Sequence, residues 1–199
     1  MVAEWEEDDS SESRNPAIDC PVLVTERLVL RPPHKDDAPE LIELANNRNI
    51  ADMLAHMPHP YGACDAQAFI EGSHRNMAGG VTYAVTLAET GAFIGSAALH
   101  ATVRGLELGY WIGEPYWGHG YATESAHALV DLAFRVGSVE RLHVACRTDN
   151  AASRRVIHKC GFQYIGQDMV ESRAVGRVAV ERYSLSGSIW AGLRSWGRM

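Results

Sequence analysis

Between Leu106 and Ala122 the chain reads LELGYWIGEPYWGHGYA, an alternating strand that runs into a glycine-rich turn and at once into a helix. No other stretch limits the fold so strongly. Gly118 and Gly120 permit close backbone approach and unusual dihedrals. The first amides of the following helix have no acceptor within it and face outward. The helix dipole adds partial positive charge there, so the segment can hold a phosphate without any lysine. A purely structural turn accounts for the same glycines equally well. Two nucleotide motifs are excluded. No Gly-Lys-Ser/Thr follows the glycines, and Thr123 stands where a dinucleotide fingerprint needs a third glycine. Glu140 precedes the next strand, whereas the ribose-binding acid of that fingerprint closes it.

Charge narrows the partners. The chain has 199 residues and a formal net charge of −7, but residues 1–19 hold seven acids against Arg14 alone. The remaining 180 residues carry 18 acids and 17 bases. A near-neutral domain lacks the basic face that duplex nucleic acid requires as a main partner. No apolar stretch is long enough to span a membrane, and the acidic start is unlike a secretory signal. Cys20, Cys64, Cys146 and Cys160 form no CxxC pair, which fits free thiols in a reducing cytoplasm and no metal site.

Residues 1–19 are acidic, Ser-rich and poor in core formers, so they read as a disordered extension. Residues 20–186 form the expected domain, and 187–199 an aromatic C-terminal segment. Strands are expected near 27–31, 81–87, 92–99, 106–112, 141–147, 163–170 and 178–185, with a meander over the second to fourth. Helices are expected from Asp37, with Asp37 as N-cap and Glu40 closing a capping box, from near Asp65 to Gly79-Gly80, from Ala122 to Val136, and from Ala151 to Cys160. Ile189, Trp190, Leu193 and Trp196 follow helical spacing, which suits core docking or a partner surface. The fold class is therefore α+β around one sheet.

Trp117-Gly118-His119-Gly120-Tyr121-Ala122-Thr123-Glu124 resembles the pyrophosphate loop of the GNAT N-acetyltransferases, Arg/Gln-x-x-Gly-x-Gly/Ala, with Trp117 at its first position and Gly120 and Ala122 at its last two. The tryptophan form is similar to the ribosomal-protein N-acetyltransferase branch. Thr25-Glu26-Arg27-Leu28, Gly109-Tyr110-Trp111-Ile112, Asn150-Ala151-Ala152-Ser153 and Lys159-Cys160-Gly161-Phe162 follow in that branch's order. The resemblance covers roughly residues 24–186. It implies a GNAT fold, with a mostly antiparallel twisted sheet of about seven strands splayed at the cofactor and four main helices. It also implies acetyl transfer from acetyl-CoA to a primary amine, a peptide N-terminal α-amine or a small amine, by direct attack in a ternary complex. The pantetheine arm would pair with backbone around Tyr110, Trp111 and Ile112, and amides of residues 118–123 would hold the pyrophosphate. A strand N–H would stabilise the oxyanion. Asn150 would contact the cofactor arm and Ser153 would protonate the thiolate. Relatives often carry a tyrosine acid where this chain has Ile157.

Two carboxylates are candidate bases for the ammonium substrate: Glu107, in the cofactor strand, and Glu171, on the penultimate strand. A solvated or ion-paired strand acid is the competing account of each. Glu114 and Glu124 read as structural. His119 is expected to act through its backbone N–H, and His100, His143 and His158 as surface or core residues. Arg154 and Arg155 flank the Asn–Ser turn, near the cofactor phosphates or on a solvated face. Residues 46–80 would form the acceptor wall, with Asn46, Asn47, Arg48, His56, His59 and Tyr61 as polar contacts. A homodimer is admitted, not required. The competing function is a non-catalytic acyl-CoA sensor on the same fold.

Overall fold

Alternating apolar residues build eight strands: β1 (Leu23–Val24), β2 (Leu28–Arg31), β3 (Val81–Leu87), β4 (Phe93–Thr102), β5 (Gly105–Ile112), β6 (Arg141–Arg147), β7 (Gln163–Ser172) and β8 (Gly176–Ser186). The computed structural model describes residues 20–74, 80–136 and 139–196. The acidic stretch 1–19, assigned above to a disordered extension, lies outside the described residues, as does the foreseen helix end at Gly79. The strands form one sheet in the order β1-β2-β3-β4-β5-β6-β8-β7. Every neighbouring pair is antiparallel except β5–β6. One strand exceeds the expected seven because β1, two residues long, is too short for alternation to reveal.

Among the described residues six α-helices flank the sheet: α1 (Ala38–Ala45), α2 (Arg48–Ala51), α3 (Ala63–His74), α4 (Tyr121–Val136), α5 (Ala151–Lys159) and α6 (Gly187–Trp196). Ala126, Leu129, Val130 and Ala133 of α4 and Ile157 of α5 bury against Leu28, Leu30, Leu99, Leu108, Leu142 and Val144. On the opposite face α1 and α3 place Leu41, Ala45, Ala66 and Ile70 against Ala84 and Phe93, with Trp111 at the margin. That second layer stops at β5, so β6 to β8 show this face, the open face of the sheet, to solvent and to loops.

Two ends of the domain differ from the sequence reading or resolve it. Asp37 does precede α1, but its side chain makes no cap bond there. Its carboxylate accepts from both Nη atoms of Arg31, at 2.8 and 2.5 Å, and from the His34 N–H at 2.7 Å. A bidentate guanidinium outcompetes the helix amides for this buried acid. At the other end α6 docks on α4: Trp190 stacks on Phe134 with centroids 5.3 Å apart. Its indole N–H donates to Asp131 at 2.9 Å, and Arg194 pairs with the same carboxylate.

Candidate active site

The one parallel pairing is short. β5 and β6 match only over Leu106↔Leu142, Glu107↔His143 and Leu108↔Val144. β4 follows β5 on to Gly95↔Ile112, and β8 follows β6 on to Arg147↔Val180. Beyond Leu108 the two strands therefore part, each still held on its other side. The Gly113 N–H donates to Ile94 O at 2.8 Å, which sets the phase of β5: Gly109, Trp111 and Gly113 turn their amides to β4, while Tyr110 and Ile112 turn theirs into the opening. Gly95 makes the close approach possible, since a Cβ there would lie 2.9 Å from Ile112 Cα. The Ile112 carbonyl accepts from the Trp117 indole at 2.6 Å.

At the mouth of the opening the chain turns at Gly118 (φ +82°) and Gly120 (φ +84°) and enters α4. Both angles are left-handed values that a side chain disfavours. Thr123 and Glu124 donate their N–H groups to Gly120 O at 3.0 and 3.1 Å. The amides of Gly118 to Ala122 have no acceptor among the described residues, so the run of free N–H groups ends one residue before Thr123. Glu124 faces away from it and accepts from Thr25 Oγ1 (2.6 Å), the Arg27 N–H (2.9 Å) and Arg27 Nε (2.8 Å).

Across the opening stands α5. Asn150 caps it, its Oδ1 accepting from the Ser153 N–H at 2.9 Å. The Ser153 hydroxyl lies 2.9 Å from the Tyr110 hydroxyl. Burial pushes the Tyr110 phenol well above its ordinary range, and the Ser153 bond opposes this only in part. Tyr110 therefore remains a neutral donor. Ile157 is core, 1% exposed. Cys146 borders the same space, where burial pushes its thiol up to about 11. Arg154 is committed elsewhere, to Glu181 at 2.7 Å and to Thr148 O at 2.6 Å.

On the open face, Glu107 lies cross-strand from His100 and beside His143. Its nearest cation is Arg182, 3.7 Å away and itself bonded to Asp168 at 3.0 Å, and its side chain is 27% exposed. His100 is exposed at the edge of this face. Desolvation, with His56 nearby, holds its pKa below the ordinary value. Two segments meet over this face: Ser172 Oγ donates to Leu54 O at 3.0 Å, and the Arg173 N–H to Ala55 O at 2.9 Å. Arg147 reaches Asp52 O at 2.5 Å beneath them.

Residues 27–163 match the acetyltransferase (GNAT) domain family. The chain belongs to that family. It is 28% identical to an uncharacterized N-acetyltransferase of Bacillus subtilis, YoaA, over 154 residues, 73% of this chain and 85% of that protein. It is 34% identical to the ribosomal-protein-serine acetyltransferase of Escherichia coli over 56 residues, 28% and 31% of the two chains. The fold is shared with the microcin C7 self-immunity acetyltransferase MccE, solved with acetyl-CoA and AMP (TM-score 0.71, 21% identity, 81% of this chain and 93% of that one). It is shared equally with Mycobacterium smegmatis RimJ, solved with CoA-disulfide (TM-score 0.71, 20% identity, 86% and 90%).

In this acetyltransferase Tyr110, Ile112, Gly118, His119, Gly120, Tyr121, Ala122, Asn150 and Ser153 converge on the opening. Trp111 does not share it: its amide serves β4 and its ring packs near Phe93, 6.0 Å between centroids. Glu171 is exposed, cross-strand from Arg177. By alternation it lies on the face opposite Ser172 and Glu107. In the foreseen acceptor wall Asn46 and Asn47 already hold protein partners: Asn46 Oδ1 accepts from the Tyr61 N–H, and Asn47, with its neighbour Asn49, donates to Glu114. The reading of residues alone missed His100 as a neighbour of Glu107. The signal was present: counting back from the turn at Val103-Arg104 pairs Thr102 with Gly105 and hence His100 with Glu107. Among the described residues no cluster of three His, Cys, Asp or Glu is placed to hold a metal. No helix there is long and apolar enough to cross a membrane.

Proposed function

We propose that this GNAT acetyltransferase moves the acetyl group of acetyl-CoA to a primary amine, a peptide N-terminal α-amine or a small-molecule amine, by direct attack in a ternary complex. The observation that carries the reading is the parting of β5 from β6, with unpaired strand amides inside the opening and unpaired helix amides at its mouth. The residues fit the donor. Gly118 to Ala122 offer N–H groups to a pyrophosphate, and Tyr110 and Ile112 offer strand backbone to a pantetheine amide. Asn150, whose Oδ1 caps α5, would offer its side-chain N–H groups to the same arm. No lysine is required.

The amine enters from the open face, between the Leu54–Ala55 segment and the β7–β8 hairpin. Glu107 removes its proton through water, aided by the neutral His100 beside it. Position favours Glu107 over Glu171, which faces away. The amine nitrogen then bonds to the thioester carbon, and a strand N–H, Tyr110 or Ile112, receives the oxyanion. As the C–S bond breaks, Ser153 Oγ gives its proton to the departing sulfur and takes one from Tyr110 along their 2.9 Å contact. The nitrogen sheds its second proton to solvent as the amide forms, and solvent restores the neutral Tyr110 phenol. Holding both partners in one cleft supplies the remaining advantage.

Acetyl-CoA turnover against a panel of N-terminal peptides and small amines, read by mass spectrometry and thiol release, tests this. Acetylated amine with stoichiometric free CoA is expected. Tight acetyl-CoA binding with no product from any amine would instead mark a non-catalytic acyl-CoA sensor.

A further inference from the structure

The Thr25–Arg27 turn, between β1 and β2, is distant in sequence from the glycine-rich loop yet is bolted to it. Arg27 Nη1 donates to His119 O at 2.9 Å. Its Nε and Nη2 hold Glu124 Oε2 at 2.8 and 2.7 Å. Its guanidinium lies over the Tyr121 ring, 4.9 Å from the centroid, and a Cβ on Gly120 would sit 3.5 Å from Nη2. Glu124 is itself fixed by Thr25 and by the Arg27 N–H. The ring of His119 acts in parallel. Its Nδ1 lies 2.9 Å from Trp117 O and 3.3 Å from Tyr116 O, and the ring stacks on Tyr121 at 5.6 Å.

A trans peptide is planar, with its C=O and N–H pointing opposite ways. Fixing the His119 carbonyl therefore aims the Gly120 N–H, and fixing the Trp117 carbonyl aims the Gly118 N–H. Both glycines sit at positive φ with no side chain to anchor them, so the loop cannot hold this alternation through packing of its own. We infer that Arg27 and His119 are positioning residues for the donor's pyrophosphate. Each pins one loop carbonyl on the outer side so that the amides of Gly120 and Gly118 face the anion before it arrives. The inference rests on the acetyl-CoA reading above. Glu124 cancels the guanidinium charge, so Arg27 works through the peptide it polarises and not as a free cation. Only a fork of donors holds Glu124 and His119 O together; a lysine has one point of charge.

Calorimetry with acetyl-CoA and with S-acetyl-pantetheine, which lacks the pyrophosphate, tests the inference on the full chain. Arg27→Met and Arg27→Lys should each weaken acetyl-CoA by roughly tenfold and leave S-acetyl-pantetheine unchanged. His119→Ala should weaken acetyl-CoA by roughly threefold. The amide resonances of Gly118 and Gly120 should be displaced in the free variants and shift less on titration with acetyl-CoA. Wild-type affinity in both Arg27 variants overturns the inference, and so does equal loss for the two donors, which would mark general damage to the site. Full rescue by Arg27→Lys also overturns it, because a direct charge contact would then suffice. Wild-type protein that binds neither donor removes the cofactor reading and this one with it.

Discussion

The proposed cofactor side of the site lies along one stretch of chain, from Tyr110 to Ser153, and offers mostly backbone: strand amides, loop amides and a helix N-terminus. The proposed acceptor side collects side chains from separate segments, with His56 before α3, His100 on β4, Glu107 on β5, Arg182 on β8 and Ser172 on β7. The contrast has a physical source. An N–H group is supplied by every residue but proline, so a backbone site needs particular dihedrals more than particular side chains, and two glycines set them. That tolerance lets Trp117 occupy the first position of the loop and bond Ile112 O with its indole. A side-chain site changes its chemistry with each substitution, which lets one fold take different amines.

The sharpest way to break this contrast is at Gly120. A β-branched residue cannot take φ +84° without strain. Gly120→Val should weaken acetyl-CoA by about a hundredfold through two displaced amides, while the local strain lowers the thermal midpoint by only a few degrees. Calorimetry on the folded variant measures it. Unchanged affinity would mean the donor is not held by backbone at all.

Next in size is the proton donor, where the cofactor side does use a side chain. Ser153→Ala should lower turnover by about tenfold, less than general acids usually contribute because a thiolate leaves readily. Acetyl-CoA affinity should move only slightly. Tyr110→Phe removes the resupply and should give a smaller loss in the same direction. Steady-state rates with one acceptor suffice, and an unaltered rate in Ser153→Ala would show that the thiolate departs unprotonated.

A smaller, pH-dependent effect is expected on the acceptor side. Glu107→Gln should slow the reaction roughly fivefold at pH 6 and approach the wild-type rate as pH nears the amine's own pKa, where free base no longer limits. Glu171→Gln should leave the profile in place. If the two variants behave alike, the face on which each acid lies has no bearing on the chemistry.

Much of this was legible in the residues, for identifiable reasons. The glycine-rich loop is a local device, and α4 and α5 carry apolar residues at helical spacing, so both stand out within short windows. The acceptor side was not legible in that way. Whether Glu107 meets His100 depends on hairpin register, and whether Glu171 faces the site depends on counting from a bulge between Tyr164 and Gly166. That Asn46 and Asn47 already hold protein partners leaves no local sign in the sequence, because those partners, Tyr61 and Glu114, are distant along the chain. Asp37 shows the same limit: its spacing to Glu40 suits a capping box, but Arg31, six residues back, claims the carboxylate. The four-residue helix α2, capped by Asn47 through the Asn49 N–H, is too short for periodicity to appear.

The corner at Asp37 belongs to neither half of the site, and so it separates loss of frame from loss of function. Burial opposes ionisation of this carboxyl, but the Arg31 guanidinium and the His34 N–H more than offset it and hold its pKa below the ordinary value. A carboxyl depressed in the folded state contributes stability above its unfolded pKa and loses it as pH falls through the folded one. The contribution should therefore be complete at pH 7 and fade below about pH 4. Asp37→Asn keeps the shape and removes the charge, at a cost of about 1 kcal/mol at pH 7. As pH falls below about 4 the deficit of the variant should shrink in urea unfolding, while acetyl-CoA affinity at neutral pH stays the same in both. An equal deficit at pH 7 and pH 3 would mean that packing, not the ion pair with Arg31, accounts for what Asp37 does there. A fall in acetyl-CoA affinity would mean that the frame and the cofactor side are coupled, and the two halves of the site would then be less independent than their construction implies.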